Sequence, residues 1–268
     1  MSAVRFTVVV PAFNEAAFLH RTLESLRSQD FAGEVEIIVV DNNSTDGTGD
    51  VARSYGVLTL FEPRPGVCWA RQLGSSAASG ELVVSTDADT VHPPDWLSRI
   101  DEQFRANEEC VAVAGPCRFA AAPIWARLYP RLLFGALHLI FAATGRVLYA
   151  SATNIAFRSS AFSGYDTALT QGGDELGLLR RLRRKGPLIF DRTNVVTTSA
   201  RRLRRGLVYN VFVTLIFYYL IGYFVNRLAS RTILRTAPAF RDDTPRRPQL
   251  AFLIGVPLTL GCLLIWAV

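Results

Sequence analysis

Val83-Val84-Ser85-Thr86-Asp87-Ala88-Asp89-Thr90 is the stretch on which the fold turns. Its apolar, β-branched start reads as a buried strand. It ends in two carboxylates at i and i+2, which a continuing strand would turn to the same side. Two anionic oxygen donors at a strand end suit a hard divalent cation such as Mg²⁺ or Mn²⁺. A cation held by only one or two carboxylates completes its shell with water and substrate phosphates. Asp87 and Asp89 are therefore candidate metal ligands. Asp-x-Asp is also common in loops and caps, so the flanking sequence must decide.

Upstream, Phe6–Val10 reads as a buried strand ended by Pro11, with a helix from Ala16 to about Ser28. Val35–Val40 is a second strand. The polar run Asp41-Asn42-Asn43-Ser44-Thr45-Asp46-Gly47-Thr48 can be neither strand nor core, and its Asp, Ser and Thr can cap the following helix. A short strand, Leu58–Phe61, and a helix from Gly66 to Ala78 that carries Arg71 lead into the Val83 strand. Alternating continuous apolar strands and helices predict an α/β fold with a mostly parallel sheet covered by helices on both faces. Ligands bind such sheets at the carboxyl ends of the strands. Asn14/Glu15, Asp41/Asn42 and Asp87/Asp89 all fall there. No G-x-G-x-x-G follows the first strand and no Walker lysine is present, which argues against dinucleotide and P-loop chemistry.

Val10-Pro11-Ala12-Phe13-Asn14-Glu15, Val39-Val40-Asp41-Asn42-Asn43-Ser44-Thr45-Asp46-Gly47-Thr48, Gly66-x-x-x-Ala70-Arg71-x-x-Gly74 and Asp87-Ala88-Asp89 resemble, in order and spacing, the successive motifs of family 2 glycosyltransferases of the GT-A fold. The likeness covers roughly residues 4 to 190. It implies an inverting enzyme that takes a sugar from a nucleotide-diphosphate sugar. On it, Pro11, Ala12, Asn14, Glu15, Asp41 and Asn42 would line the nucleotide, with Arg71 and Ala88 beside them. Asp87 would face ribose or metal, and Asp89 would ligate the metal. The family often has two aspartates where this chain has Asp41-Asn42. Asp174-Glu175 stand where the family has Glu-Asp, reversed in order. The second position carries the base, so the role falls on Glu175, with Asp174 as its rival. One base suits a single inverting displacement by a hydroxyl. A polyprenyl phosphate oxygen is already anionic and needs none, so the pair favours a hydroxyl on a lipid-linked or membrane-proximal acceptor. No Gln-x-x-Arg-Trp of processive synthases is found. The rivals are a polyprenyl-phosphate glycosyltransferase and a non-catalytic nucleotide-binding membrane scaffold.

Composition points to membrane. Half of the 268 residues are hydrophobic, and the net charge is +6 with arginine in excess of lysine. Ile124–Arg131, with Trp125, Tyr129 and two arginines, leads into an apolar run of about a dozen residues that is too short to span; a helical segment over about 122–145 suits the membrane interface or a buried core helix. His138 within it reads as a satisfied histidine. Thr197–Arg205 is basic: Arg201 or Arg202 would reach the donor diphosphate, and Arg204 and Arg205 would reach anionic lipid. Residues 207–225 and 250–268 are apolar, and about 19 residues reach roughly 28 Å, close to the hydrocarbon thickness. The expected organisation is a catalytic domain over 1–200, then a basic juxtamembrane segment and two hydrophobic membrane segments over 201–268. The setting is the cell (inner) membrane with the catalytic domain facing the cytoplasm. Two full spans would place Arg227, Arg231 and Arg235 outside, against the positive-inside tendency. Met1–Arg5 runs into a strand with no signal-peptide pattern. Cys68, Cys110, Cys117 and Cys262 have neither metal-ligand nor disulfide-framework spacing. The basic residues lack an interleaved aromatic platform, so nucleic acid is not an expected partner. Membrane helices are compatible with a homo-oligomer.

Overall fold

The computed structural model describes residues 4–168, 173–201, 203, 206, 208–210, 212, 216–217, 221–229 and 233–234. The apolar stretch 250–268, residues 207, 211, 213–215 and 218–220, and Arg202, Arg204, Arg205, Arg231 and Arg235 lie outside these. Among the described residues no helix is long and apolar enough to cross a membrane.

The sheet begins with β1 (Phe6–Ala12), β2 (Val35–Asp41), β3 (Leu58–Phe61) and β4 (Leu82–Ser85). It continues with β6 (Ala112–Ala114), β8 (Ile155–Arg158) and β9 (Leu188–Phe190), in the order β3-β2-β1-β4-β8-β6-β9. Only β8 runs antiparallel to its neighbours. A second sheet joins β5 (Thr90–Val91), β10 (Val196–Ser199) and β7 (Cys117–Ala120), in the order β5-β10-β7. The helices are α1 (Ala16–Arg27), α2 (Thr48–Ser54), α3 (Val67–Ala77), α4 (Trp96–Ala106), α5 (Ile124–Thr144), α6 (Leu178–Leu182) and α7 (Gly222–Leu228).

β1 is central, and every residue in it is buried. Its period-2 alternation splits the core. Phe6, Val8 and Val10 pack with Leu19 and Leu23 of α1 and Trp96, Leu97, Ile100 and Phe104 of α4. Val9 faces the other way, into a cluster with Phe134 and Leu137 of α5 and Leu178 and Leu182 of α6.

Two expectations about strand ends change. Pro11 does not end β1; it pairs in register with Val40. Val9 accepts a hydrogen bond from Thr86 N–H, so residues 9 and 11 face the β4 side, where the ladder stops at Val9–Ser85. A proline there removes no ladder bond. Nor does the Val83 strand continue through the aspartates. It stops at Ser85, and Thr90 N–H bonds back to Asp87 O at 3.2 Å, closing a turn. Asp87 and Asp89 therefore project from a turn, not from one side of a strand.

The polar run after β2 also acts differently. α2 is capped by the left-handed Gly47 (φ 85°), with no side-chain cap. Asp46 Oδ1 does accept from Thr48 N–H at 3.0 Å at the start of α2, but the run also caps α1. Thr48 Oγ1 accepts from Glu15 N–H at 2.8 Å, Asp46 Oδ2 accepts from Ala16 N–H at 3.1 Å and Ser44 Oγ accepts from Asn14 N–H at 3.0 Å. These supply partners for the donors that a helix N-terminus leaves open.

The Gly66–Gly74 spacing has a packing cause. Gly66 (φ 129°) starts α3, and Ala70 is fully buried. At Gly74 a Cβ would fall inside contact distance of Val9 Cγ1 and 3.0 Å from Val40 Cγ2. α3 thus lies directly on β1 and β2, which sets the height of Arg71 one turn earlier. Gly74→Val is expected to destabilise by about 1–3 kcal/mol through overpacking, read as a lower urea midpoint at unchanged slope.

Candidate active site

The carboxyl ends of β1, β2 and β4 form one edge, and two buried guanidiniums organise it. Arg71 is 2% exposed. It donates to Ser85 Oγ, to Thr86 O at 3.1 Å and to Asp87 Oδ1 at 2.5 Å. Thr153 Oγ1 donates to the other oxygen of Asp87 at 2.6 Å. Arg201 follows β10. Its Nη2 reaches both oxygens of Glu15, at 2.9 and 2.8 Å, and Asp89 Oδ2 at 2.7 Å. Its guanidinium also lies over the Phe18 ring, 4.2 Å from the centroid. Thr198 Oγ1 donates to Asp89 Oδ1 at 3.1 Å. Glu15 and Asp89 hold the Arg201 cation firmly protonated against burial. Burial raises the Asp89 pKa; the charge of Asp87 adds to this and Arg201 only partly offsets it. One buried nitrogen, Arg201 Nη1, has no hydrogen-bond partner among the described residues.

Of the expected nucleotide-lining residues, Glu15, Arg71, Asp87 and Arg201 meet in this network; Ala88 is buried beside it, its carbonyl accepting from Thr22 Oγ1 at 2.8 Å. Pro11 and Ala12 are buried in the last part of β1, paired with Val40 and Asp41. Asp41 Oδ1 accepts from Ser44 N–H at 2.9 Å. Two asparagines hold loops. The Asn42 amide donates to Glu62 O at 2.9 Å and Arg64 O at 2.6 Å, and its Oδ1 accepts from Gly66 N–H at 3.0 Å. Asn14 (φ 53°) accepts from Thr45 N–H at 2.8 Å. Arg202 lies outside the described residues.

Glu175 stands on a five-residue π turn, Gly173–Gly177, before α6. Its Oε1 accepts from Tyr149 OH at 3.3 Å and Ala152 N–H at 3.4 Å. The segment Ser151–Thr153 therefore bridges the two halves of the site: Ala152 touches Glu175, while Ser151 bonds Thr153 at 3.1 Å and Thr153 bonds Asp87. The side chain of Asp174 is outside what the structure describes. Cys117 lies alongside. Burial pushes its thiol up to about 12, helped by the charges of Glu175 and Asp87.

Thr153, Thr198, Tyr149 and Phe18 were not visible as site residues in the sequence. Nothing marked them, because their partners lie far away along the chain. A pair of an exposed arginine on a buried glutamate, beside the Asn42 loop, was missed as well. Arg64 grips Glu62 through two bonds of 2.7 Å and stacks on Trp69 at 3.7 Å.

The donor set fits a divalent cation shared with a substrate. Asp87 and Asp89 are hard oxygen donors on one turn, closed by the Thr90 N–H to Asp87 O bond. No cluster of three His, Cys, Asp or Glu side chains forms a ready-made cage among the described residues. A cation here would complete its shell with diphosphate and water.

The family model "Glycosyl transferase family 2" matches residues 7–166. That is more than half of the chain, and the chain belongs to this family. Among curated relatives, the glucosyl-dolichyl phosphate glucuronosyltransferase of Haloferax volcanii is 25% identical over 191 residues, 64% of this chain and 59% of that protein. An uncharacterised glycosyltransferase of Mycobacterium bovis is 40% identical over 89 residues, 33% of this chain and 38% of that protein. Several other relatives are matched over about a third of their length. Among solved structures, the mannosyltransferase of Pyrobaculum calidifontis, in complex with GDP-Man and Mn²⁺, is similar with a TM-score of 0.66 and 23% identity, covering 87% of this chain and 66% of that one. The glucosyl-3-phosphoglycerate synthase of Mycobacterium tuberculosis, with Mn²⁺ and UDP, gives a TM-score of 0.57 at 21% identity, covering 87% of this chain and 81% of that one. At these identities the likeness is one of fold: a GT-A-like α/β architecture with a mostly parallel sheet.

Proposed function

We propose that this chain moves one sugar from a nucleotide-diphosphate sugar to a hydroxyl of a lipid-linked or membrane-proximal acceptor, with inversion. The observation that carries the reading is the Ser151–Thr153 bridge. It sets a charged edge suited to a diphosphate (Arg71, Asp87, Asp89, Arg201) beside a carboxylate suited to an acceptor (Glu175). Asp89 and Asp87 would hold Mg²⁺ or Mn²⁺. Bound there, the cation would act as a Lewis acid on the departing diphosphate. The mannosyltransferase that shares the fold holds Mn²⁺ with GDP-Man, which supports this assignment.

The chain's own residues do the rest. Glu175 takes the acceptor hydroxyl proton while that oxygen attacks the anomeric carbon. The bond to the nucleoside diphosphate breaks on the opposite face and its electron pair leaves with the phosphate oxygen. The open N–H of Arg201 Nη1 offers that oxygen a donor. Arg71 fixes Asp87, and through Thr153 the acceptor segment.

The lipid-linked acceptor is supported by the hydrophobic composition, by the apolar 207–225 and 250–268, and by the dolichyl-phosphate-linked substrate in the name of the Haloferax relative. The setting is the cell membrane, with the catalytic domain on the cytoplasmic side where nucleotide sugars are made.

The test is transfer by detergent-purified protein, with a panel of nucleotide sugars, Mn²⁺ or Mg²⁺ and a total bacterial lipid extract. Glu175→Gln is expected to lower kcat about 10²–10⁴-fold with nucleotide affinity unchanged. Asp174→Asn is expected to stay within a few-fold of the parent. Activity that survives both changes would point to a phosphate acceptor. Nucleotide binding without turnover on any lipid would point to a scaffold.

A further inference from the structure

A groove of about 780 Å³ opens between α5 and the Pro116–Phe119 segment, outside the donor edge. Arg118, Arg127, Arg131 and Arg192 line it, and among the described residues no carboxylate does. Arg118 Nε bonds Thr197 Oγ1 at 2.8 Å and Arg127 Nε bonds Ala122 O at 2.9 Å. None of the four is in an ion pair among the described residues. Four like charges facing one cavity repel one another unless an anion joins them.

The walls between the arginines are apolar, with Phe119 and Phe134 among them. His138 also lines the groove. Its Nδ1 is buried with no hydrogen-bond partner among the described residues, in contrast to the satisfied histidine expected from the sequence. Such a nitrogen marks a place where a polar group is missing. Beside the groove, whose wall Leu139 shares, α5 exposes Ile124 (78%), Leu128 (49%), Leu132 (71%) and Leu139 (69%), a stripe at helical spacing. At its inner end the groove reaches Cys117, whose thiol feels the charges of Glu175 and Asp87.

The geometry points to this groove as the seat of a phosphate-bearing lipid acceptor: hydrocarbon along the α5 stripe, phosphate among Arg118, Arg127, Arg131 and Arg192, hydroxyl end directed past Cys117 towards Glu175. Guanidinium forks match phosphate oxygens, and the apolar walls match the adjoining chain. The inference rests on the transfer reading above and narrows its acceptor to an anionic amphiphile.

Binding tests it apart from turnover. Full-length protein in dodecyl maltoside is titrated calorimetrically with dodecyl phosphate and, separately, with inorganic phosphate. Dodecyl phosphate is expected to bind saturably, at least about tenfold tighter than inorganic phosphate. Arg127→Gln/Arg131→Gln is expected to weaken it about tenfold or more. Arg146→Gln/Arg180→Gln removes the same charge elsewhere and is expected to change it less than about twofold. Equal weakening by both pairs would mean bulk attraction to a charged micelle and would overturn the site. Inorganic phosphate binding as tightly as dodecyl phosphate would reduce it to a plain anion site and would overturn the lipid. Nucleotide affinity, measured on the same variants, is expected to be unchanged. Its absence from the parent would sink the transfer reading, while the dodecyl phosphate result would still decide the groove.

Discussion

Asp89→Ala is expected to lower sugar transfer about a thousandfold while shifting thermal stability little. Asp89 is one of two carboxylates on Arg201, and Glu15 retains the guanidinium through both its oxygens when Asp89 is gone. No buried charge is left alone, so the usual large penalty for breaking a buried pair does not arise. The loss falls on charge stabilisation at the diphosphate. Asp89→Asn separates charge from shape, because an amide oxygen can still accept from Arg201. It is expected to fold like the parent and to be nearly as inactive as Asp89→Ala. Transfer at saturating Mn²⁺ gives the activity. Electron paramagnetic resonance of Mn²⁺ with nucleotide gives metal affinity independently. If Asp89→Ala kept more than about a tenth of parental transfer, or bound Mn²⁺ as tightly with nucleotide, Asp89 would not be a metal ligand.

The half of the fold that was legible from sequence is the half in which strands are buried on both faces. β1, β2 and β4 read as continuous apolar runs because helices cover both sides of them. The small second sheet was not legible. β7 alternates half-buried and exposed positions over only four residues, and β5 has two, so neither carries a periodic signal above noise. Three errors at the site share one cause: a rule about a local element was overruled by its neighbours. Pro11 continues a strand because its partner on that side has ended. The 41–48 run serves α1 as well as α2 because the fold brings Asn14–Ala16 against it. Asp87 and Asp89 diverge because each is held by a different arginine. The Arg201–Glu15 pair joins residues 186 apart, and no spacing in a single sequence reports it. What the sequence did contain was the demand: three carboxylates at strand ends must have cations nearby, and Arg71 and Arg201 meet it.

A second large effect is expected in acid, and it comes from His92. The ring is fully buried, packed on Trp96 with centroids 4.0 Å apart. Nδ1 lies 3.0 Å from Ser25 Oγ and Nε2 2.8 Å from Thr86 Oγ1. Ser25 already donates its proton to Thr22 O at 2.8 Å, so its oxygen accepts from Nδ1–H. That leaves Nε2 as the acceptor for the Thr86 hydroxyl. This tautomer has no place for a second proton, and burial lowers the pKa from 6.5 to about 3. The unfolded chain binds its proton below about pH 6.5, while the folded chain resists until about pH 3. Stability therefore falls as pH falls through that window, by roughly 1.4 kcal/mol per unit from this residue, and is flat above it. Thr86 is also the residue whose carbonyl accepts from Arg71, so forced protonation would loosen the turn that carries Asp87 and Asp89. His92→Gln removes the titration and is expected to flatten the acid limb, whatever fixed penalty it adds. Guanidinium midpoints at several pH values from 7.5 down to 4.5 provide the comparison, and slopes rather than levels decide it. Parallel acid limbs in parent and variant would show that His92 is not the residue resisting protonation.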